Sequence, residues 1–168
     1  MPLTIDILRQ HPAPVFVETG TFHGEAVRFA LDLGFQEIHT IELDAGRAAG
    51  AREAFKDNPG VKVYRGSSEA MLPAILSQLT GPCTVWLDAH PDGALTEQNT
   101  PLLYELRLLA RYAHRNRVTV MVDDVRLFSP GLLQKAEELI GGEFPPGYQV
   151  SFLDNHIASG DIMLICAS

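Results

Sequence analysis

Strand-like and helix-like segments alternate along almost the whole chain, and the alternation breaks only at the end. Runs with strand character lie at 14–18, 37–42, 61–65, 83–88 and 117–123. Between and after them, helical apolar spacing and Gly/Pro stop signals mark helices at 24–34, 45–57, 68–79, 100–115 and 130–141. A short leading helix is expected at 3–10. The rhythm then changes: 148–153 and 162–166 read as two strands joined by a turn around Ser159-Gly160, with no helix between them. Repeated βα units demand a parallel, doubly wound sheet with helices on both faces. A closing hairpin can join such a sheet only by adding an antiparallel strand. The expected fold is therefore α/β, a doubly wound Rossmann-like seven-stranded sheet with a C-terminal antiparallel β-hairpin. The run CTVWL at 83–87 suits its centre, where both faces are covered.

Composition narrows the class. A chain of 168 residues, 46% hydrophobic and 20% charged, reads as a single domain over 1–168, with no separate substrate or lid domain. No apolar run approaches the roughly 20 residues of a membrane span, and the N-terminus lacks the apolar region of a signal peptide. The cytoplasm is the expected location. Cys83 and Cys166 fall within apolar strands and read as small core residues of a reducing compartment. A net charge of −8 opposes docking on a phosphate backbone, so a nucleic-acid partner is not expected. The one basic cluster, Arg107, Arg111, Arg115 and Arg117, is spaced as the solvent face and C-terminal end of a helix.

The first strand runs into Glu18-Thr19-Gly20-Thr21-Phe22-His23-Gly24. Glycines at a strand-to-helix turn permit a close approach of backbone to ligand. Glu42 ends the next strand about 20 residues on, where an acid can accept hydrogen bonds from both hydroxyls of a ribose. A dinucleotide site wants G-x-G-x-x-G, to cradle a pyrophosphate on helix amides. Here the spacing is E-x-G-x-x-x-G, and Glu18 would repel a pyrophosphate while suiting the ammonium of an amino-acid tail. The pattern resembles motif I of class I S-adenosylmethionine (SAM) methyltransferases. The plainer reading is a βα turn in which Gly20 and Gly24 only permit tight packing.

Ligands gather at the carboxyl ends of parallel strands. Those ends supply Glu18, Glu42, Ser67, Asp88 and Asp123, with Asp124 alongside. Strands 83–88 and 117–123 should be neighbours, bringing Asp88, Asp123 and Asp124 to one rim. Three carboxylates repel unless a cation sits among them, and hard oxygen ligands suit Mg²⁺. Capping roles, or an ion pair between Asp124 and Arg126, are the structural alternative.

ETGTFHG, then LDAH, then VDDVRLF resemble the macrocin-type O-methyltransferase family in class I, over roughly residues 15–128. The resemblance implies Mg²⁺ on Asp88, Asp123 and Asp124, and a general base at the position of His90. It implies SAM across Glu18, Thr19, Gly20, Thr21, Gly24, Glu42, Ser67 and Ser68. Two departures stand out: a histidine occupies the place of the family's carboxylate base, and the chain lacks the extension and inserted lid that build the family's acceptor pocket. A second copy of the chain could complete that pocket. His90 is workable as a base, with an ordinary pKa near 6.5; it could also be a metal ligand or neither. His23 and His39 read as structural, Trp86 as core, and His156 as reaching the rim only if its loop folds back.

The expected activity is SAM-dependent, Mg²⁺-assisted methylation of a hydroxyl on a small molecule. LDAH stands where nucleic-acid amino-methylating enzymes carry D/N-P-P-Y/F, which argues against base methylation. Two rival readings are a non-catalytic SAM-binding module and a metal-dependent hydrolase built on Asp88, Asp123 and Asp124.

Overall fold

A computed structural model describes residues 3–91 and 93–168; in the loop expected at Pro91–Gly93, Asp92 lies outside the described residues. The elements run α1 (Ile5–Arg9), β1 (Val15–Thr19), α2 (Glu25–Asp32), β2 (Glu37–Glu42), α3 (Ala45–Ala54), β3 (Val61–Arg65) and α4 (Ser68–Gln78). They continue with β4 (Cys83–Leu87), α5 (Leu102–Ala113), β5 (Val118–Val122), a 3-10 turn (Val125–Leu127), α6 (Pro130–Glu143), β6 (Tyr148–Leu153) and β7 (Ile162–Ala167).

The seven strands form one sheet in the order β3-β2-β1-β4-β5-β7-β6. β1 to β5 pair in parallel, and β7 enters antiparallel between β5 and β6. This is the expected architecture, closing hairpin included. Side chains alternate across the sheet with the period of two that a pleated strand imposes. Val17, Val85 and Val120 pack on one face with Leu72, Leu106 and Leu139. Phe16, Trp86 and Met121 pack on the other with Val27, Ala30 and Leu8. Trp86 is thus core, as its strand position predicts.

Helix ends differ from expectation for local reasons. Helix α6 runs through Gly141 and Gly142 to Glu143, because buried Ile140 and Phe144 anchor both sides of the glycine pair. It stops at Phe144, whose extended backbone is the conformation forced on a residue before proline. Helix α3 ends at Ala54, three residues short of the reading 45–57. Cys83 is buried, whereas Cys166 is only half-buried near the end of β7. No helix among the described residues is long and apolar enough to cross a membrane.

Candidate functional site

The turn after β1 is held by the protein itself. The amides of Gly20 and Thr21 both donate to the Ile41 carbonyl, at 2.9 and 3.2 Å, tying the tip of β1 to β2. A Cβ on Gly20, where φ is +89°, would lie 2.4 Å from the Asp88 carbonyl oxygen; one on Gly24, where φ is +73°, would lie 2.8 Å from the Phe55 ring. The motif glycines are therefore required by neighbouring chain segments, which is the packing role of the plainer reading. Gly24→Ala should cost about 1–2 kcal/mol from the left-handed backbone alone. In a chain of this size that lowers Tm by roughly 2–8 °C, and an unchanged melting curve would refute the packing role.

Glu18 lies opposite Thr40 in the β1–β2 register, and the Thr40 hydroxyl donates to Glu18 Oε2 at 2.6 Å. Thr21 Oγ1 stands 2.5 Å from Thr40 Oγ1, extending that chain of hydroxyls. Glu18 is buried, and desolvation pushes its carboxyl up to about 8; Asp88 and Glu42 push the same way, while the Thr40 bond opposes. Glu42, at the tip of β2, accepts from the Phe22 amide on Oε2 and from the Asp44 amide on Oε1, both at 2.9 Å. Each oxygen keeps acceptor capacity for a ligand hydroxyl. Beside it Phe22 and Leu43 are exposed, Leu43 at 73%, an apolar lip that the acid-and-glycine pattern did not mark.

Ser67 caps α4, its Oγ accepting from the Ala70 amide at 3.3 Å. The hydroxyls of Thr19 and Ser68 are turned inward, beneath the rim and toward Glu105 of α5, rather than to its open side. Glu105 is buried, and desolvation lifts its carboxyl to about 7, against the lowering effect of those two hydroxyls. None of Thr19 Oγ1, Ser68 Oγ and Glu105 Oε1 reaches a partner at hydrogen-bond geometry. Leu102, Leu106 and Leu109 share the buried face of α5, and helical spacing puts Glu105 on that same face. An acid inside an apolar stripe was the available sign.

The second rim lies one strand along. His90 Nε2 points between Asp88 Oδ1 at 3.4 Å and Asp124 Oδ2 at 3.6 Å, with the side chain only 10% exposed. That nitrogen has no hydrogen-bond partner. Asp88 is raised to about 6 by burial, with His90 and the Trp86 indole lowering it and Asp124 raising it. Asp123 is driven to about 9 by desolvation and by Asp88 and Asp124, against one bond from the Asp124 amide at 2.7 Å. Ser129, and neither aspartate, caps α6.

Asp161 joins this rim and was not in the sequence reading. β7 runs opposite to its neighbours, so its beginning, not its end, meets the carboxyl ends of β4 and β5. Ligand atoms of Asp123, Asp124 and Asp161 lie within 4.8 Å of one another, while Asp88 faces this group from the His90 side. Asp161 is occupied: it accepts from the Arg126 amide at 3.1 Å, the Asn155 amide group at 2.8 Å and the Arg126 guanidinium. Asp88 has its oxygens free of such a set but does not fall within that close group, and the Arg126 guanidinium reaches Asp124 as well as Asp161. Crowded hard oxygens, an Asp123 carboxyl held neutral without a counter-charge, and the orphaned His90 nitrogen fit a divalent metal.

The loop after β4 is pinned across the rim. Leu95 is buried, its amide donates to Leu127 at 2.7 Å, and the Ser129 amide donates to Leu95 at 2.8 Å. Beneath it a cavity of about 10 Å³, enough for one water, is lined by His90, Glu105, Leu102 and Phe128. His39 is structural, with Nδ1 at 2.9 Å from the Tyr64 hydroxyl. His23 and His156 are exposed; His23 packs against Phe22, whose ring lies under Arg47.

Three solved structures superpose over nearly the whole chain. An O-methyltransferase, TomG from Streptomyces achromogenes, involved in tomaymycin synthesis and solved with SAM, gives a TM-score of 0.73 at 17% identity, covering 98% of this chain and 77% of that one. The chain has the class I methyltransferase fold. An O-methyltransferase from Bacillus cereus in complex with S-adenosylhomocysteine (SAH) gives 0.70 at 17% identity, covering 98% and 78%. The SAH-bound Podospora anserina methyltransferase PaMTH1 gives 0.68 at 18%, covering 98% and 76%. No family model matches the sequence, and no curated protein does.

Proposed function

We propose that this chain is a SAM-dependent methyltransferase acting on a hydroxyl of a small molecule, with Mg²⁺ at the acidic rim. The observation that carries the reading is His90 Nε2, unpartnered and nine-tenths buried between Asp88 and Asp124, one strand from the Glu18 and Glu42 rim. A fold whose solved examples include SAM- and SAH-bound O-methyltransferases supports it.

Glu18 would take the ammonium of the methionine end, and Glu42 the ribose hydroxyls. The backbone of Gly20 and Thr21, Gly24, and the Thr19 and Ser68 main chain would shape the floor, with Ser67 on the adenine side. Asp88, Asp123 and Asp124 would hold Mg²⁺. When bound, SAM supplies an electrophilic methyl and Mg²⁺ lowers the pKa of a hydroxyl beside it. His90 Nε2 accepts the proton of the acceptor hydroxyl, and Asp88 beside it steadies the resulting imidazolium. Holding oxygen and methyl near attack distance supplies most of the rate.

The acceptor is a small molecule rather than nucleic acid, since the net charge is −8 and the exposed arginines of α5 pair in part with Glu143. Isothermal titration with SAH tests the cofactor half of the reading. Micromolar binding, weakened about tenfold or more in Glu42→Gln by loss of a charged hydrogen-bond acceptor, supports it. Absence of binding promotes the metal-dependent hydrolase instead.

A further inference from the structure

Arg126 stands where a cation would. Its Nη1 lies 2.5 Å from Asp124 Oδ1 and also bonds Asp161 Oδ2. An Mg²⁺ or Mn²⁺ ion held by Asp124 must sit about 2.1 Å from a carboxylate oxygen, so a guanidinium at that oxygen and a dication beside it contest the same space and repel. Resting on the metal half of the proposed function, we infer that Arg126 is the internal counter-ion of the acidic rim and competes with the divalent cation for Asp124, so that it sets the affinity of the site.

Three features make the guanidinium displaceable without unfolding the rim. The loop is held independently of it: the Val125 amide donates to the Asp161 carbonyl at 3.0 Å, the Arg126 amide to Asp161 Oδ1 at 3.1 Å, and Asn155 to Asp161 Oδ2 at 2.8 Å. The Arg126 side chain is 32% exposed, so its head can swing into water along a solvated path. Asp124 itself sits in the left-handed region at φ +56°, so the turn sets its backbone while its carboxylate keeps its own rotamer freedom to change partners. Asp161 then acts as the strut that keeps Arg126 close, and Asp124 as the carboxylate that changes partners.

The guanidinium also explains how Asp124 and Asp161 stand side by side: one positive charge spans both. The fully buried member of that pair keeps two amide donors when the guanidinium leaves. Asp124 keeps none from the described side chains except the facing His90, and so turns to the incoming metal.

The test is Mn²⁺ binding by electron paramagnetic resonance, with no SAM or acceptor present, in the full chain and in Arg126→Gln. Removing the competitor should tighten Mn²⁺ binding about tenfold or more, with the circular dichroism spectrum unchanged. Equal or weaker binding in Arg126→Gln overturns the proposal, as does absence of Mn²⁺ binding in both proteins. Should Arg126→Gln not fold, Arg126→Lys decides: the ammonium of the shorter side chain stops short of the place where Nη1 meets both carboxylates, so a smaller gain in Mn²⁺ affinity supports the proposal and no gain overturns it. SAH titration separates this from the reading beneath it. Failed SAH binding removes methyl transfer and leaves the Mn²⁺ comparison standing, whereas failed Mn²⁺ binding removes the competition and leaves the cofactor site untouched.

Discussion

SAH affinity should climb about tenfold per pH unit between pH 6 and pH 7.5, a total of roughly 30-fold, and then level off near pH 8. The cause is Glu18. Burial lifts its carboxyl to about 8, with Asp88 from the end of β4 and Glu42 from the end of β2 adding to the rise. Below that value the carboxyl is neutral and offers an ammonium only a dipole. A bound ammonium favours the ionised form and lowers the pKa in the complex, so binding releases a proton wherever the pH lies between the two values. Affinity then rises with pH by up to 1.36 kcal/mol per unit across that window. Titrations in two buffers of different ionisation enthalpy should show close to one proton released per SAH at pH 7. Glu18→Gln should bind more weakly at pH 7.5 and lose the slope. A flat profile in the unsubstituted protein would mean that Glu18 does not meet the cofactor's charge.

The fold was legible because it rests on period and order. Strand-length apolar runs, helical spacing between them and the missing helix before residue 162 together specified the sheet and its antiparallel member. The placement of Glu18 and Glu42 toward the carboxyl ends of β1 and β2 was legible too, since both strands belong to the parallel part of the sheet. What stayed hidden depended on direction. Asp161 precedes a strand, and only the reversed run of β7 brings it to the aspartates of β5. The side of a strand end on which a hydroxyl falls was hidden as well: Thr19 and Ser68 hold motif positions, yet both hydroxyls face Glu105 in the layer below. Gly20 was read for a ligand's approach, while the neighbour that forbids its Cβ is the carbonyl of Asp88, 68 residues further along the chain. Contacts between distant segments leave no spacing to read.

Glu105 supplies the other large effect, on stability rather than binding. Its ordinary pKa of 4.5 is raised to about 7 by complete burial, and Glu69 adds to the rise. Between those two values the folded chain holds a proton that the unfolded chain has released. Stability must therefore fall as pH rises from about 4.5 to 7, and the penalty persists above 7, where the carboxylate is ionised in both states. Its size is about 3 kcal/mol for this side chain. Glu105→Gln keeps the shape and removes the titration. At pH 8 the substitution should raise Tm by roughly 5–10 °C. At pH 4.5, where the native carboxyl is already neutral in the fold, the difference should nearly vanish. Thermal melts of both proteins at the two pH values decide it. An equal shift at both would assign the gain to hydrogen bonding alone, and a loss at pH 8 would mean that the buried carboxylate is needed in its ionised form, with a cationic partner drawn into the cavity it shares with His90.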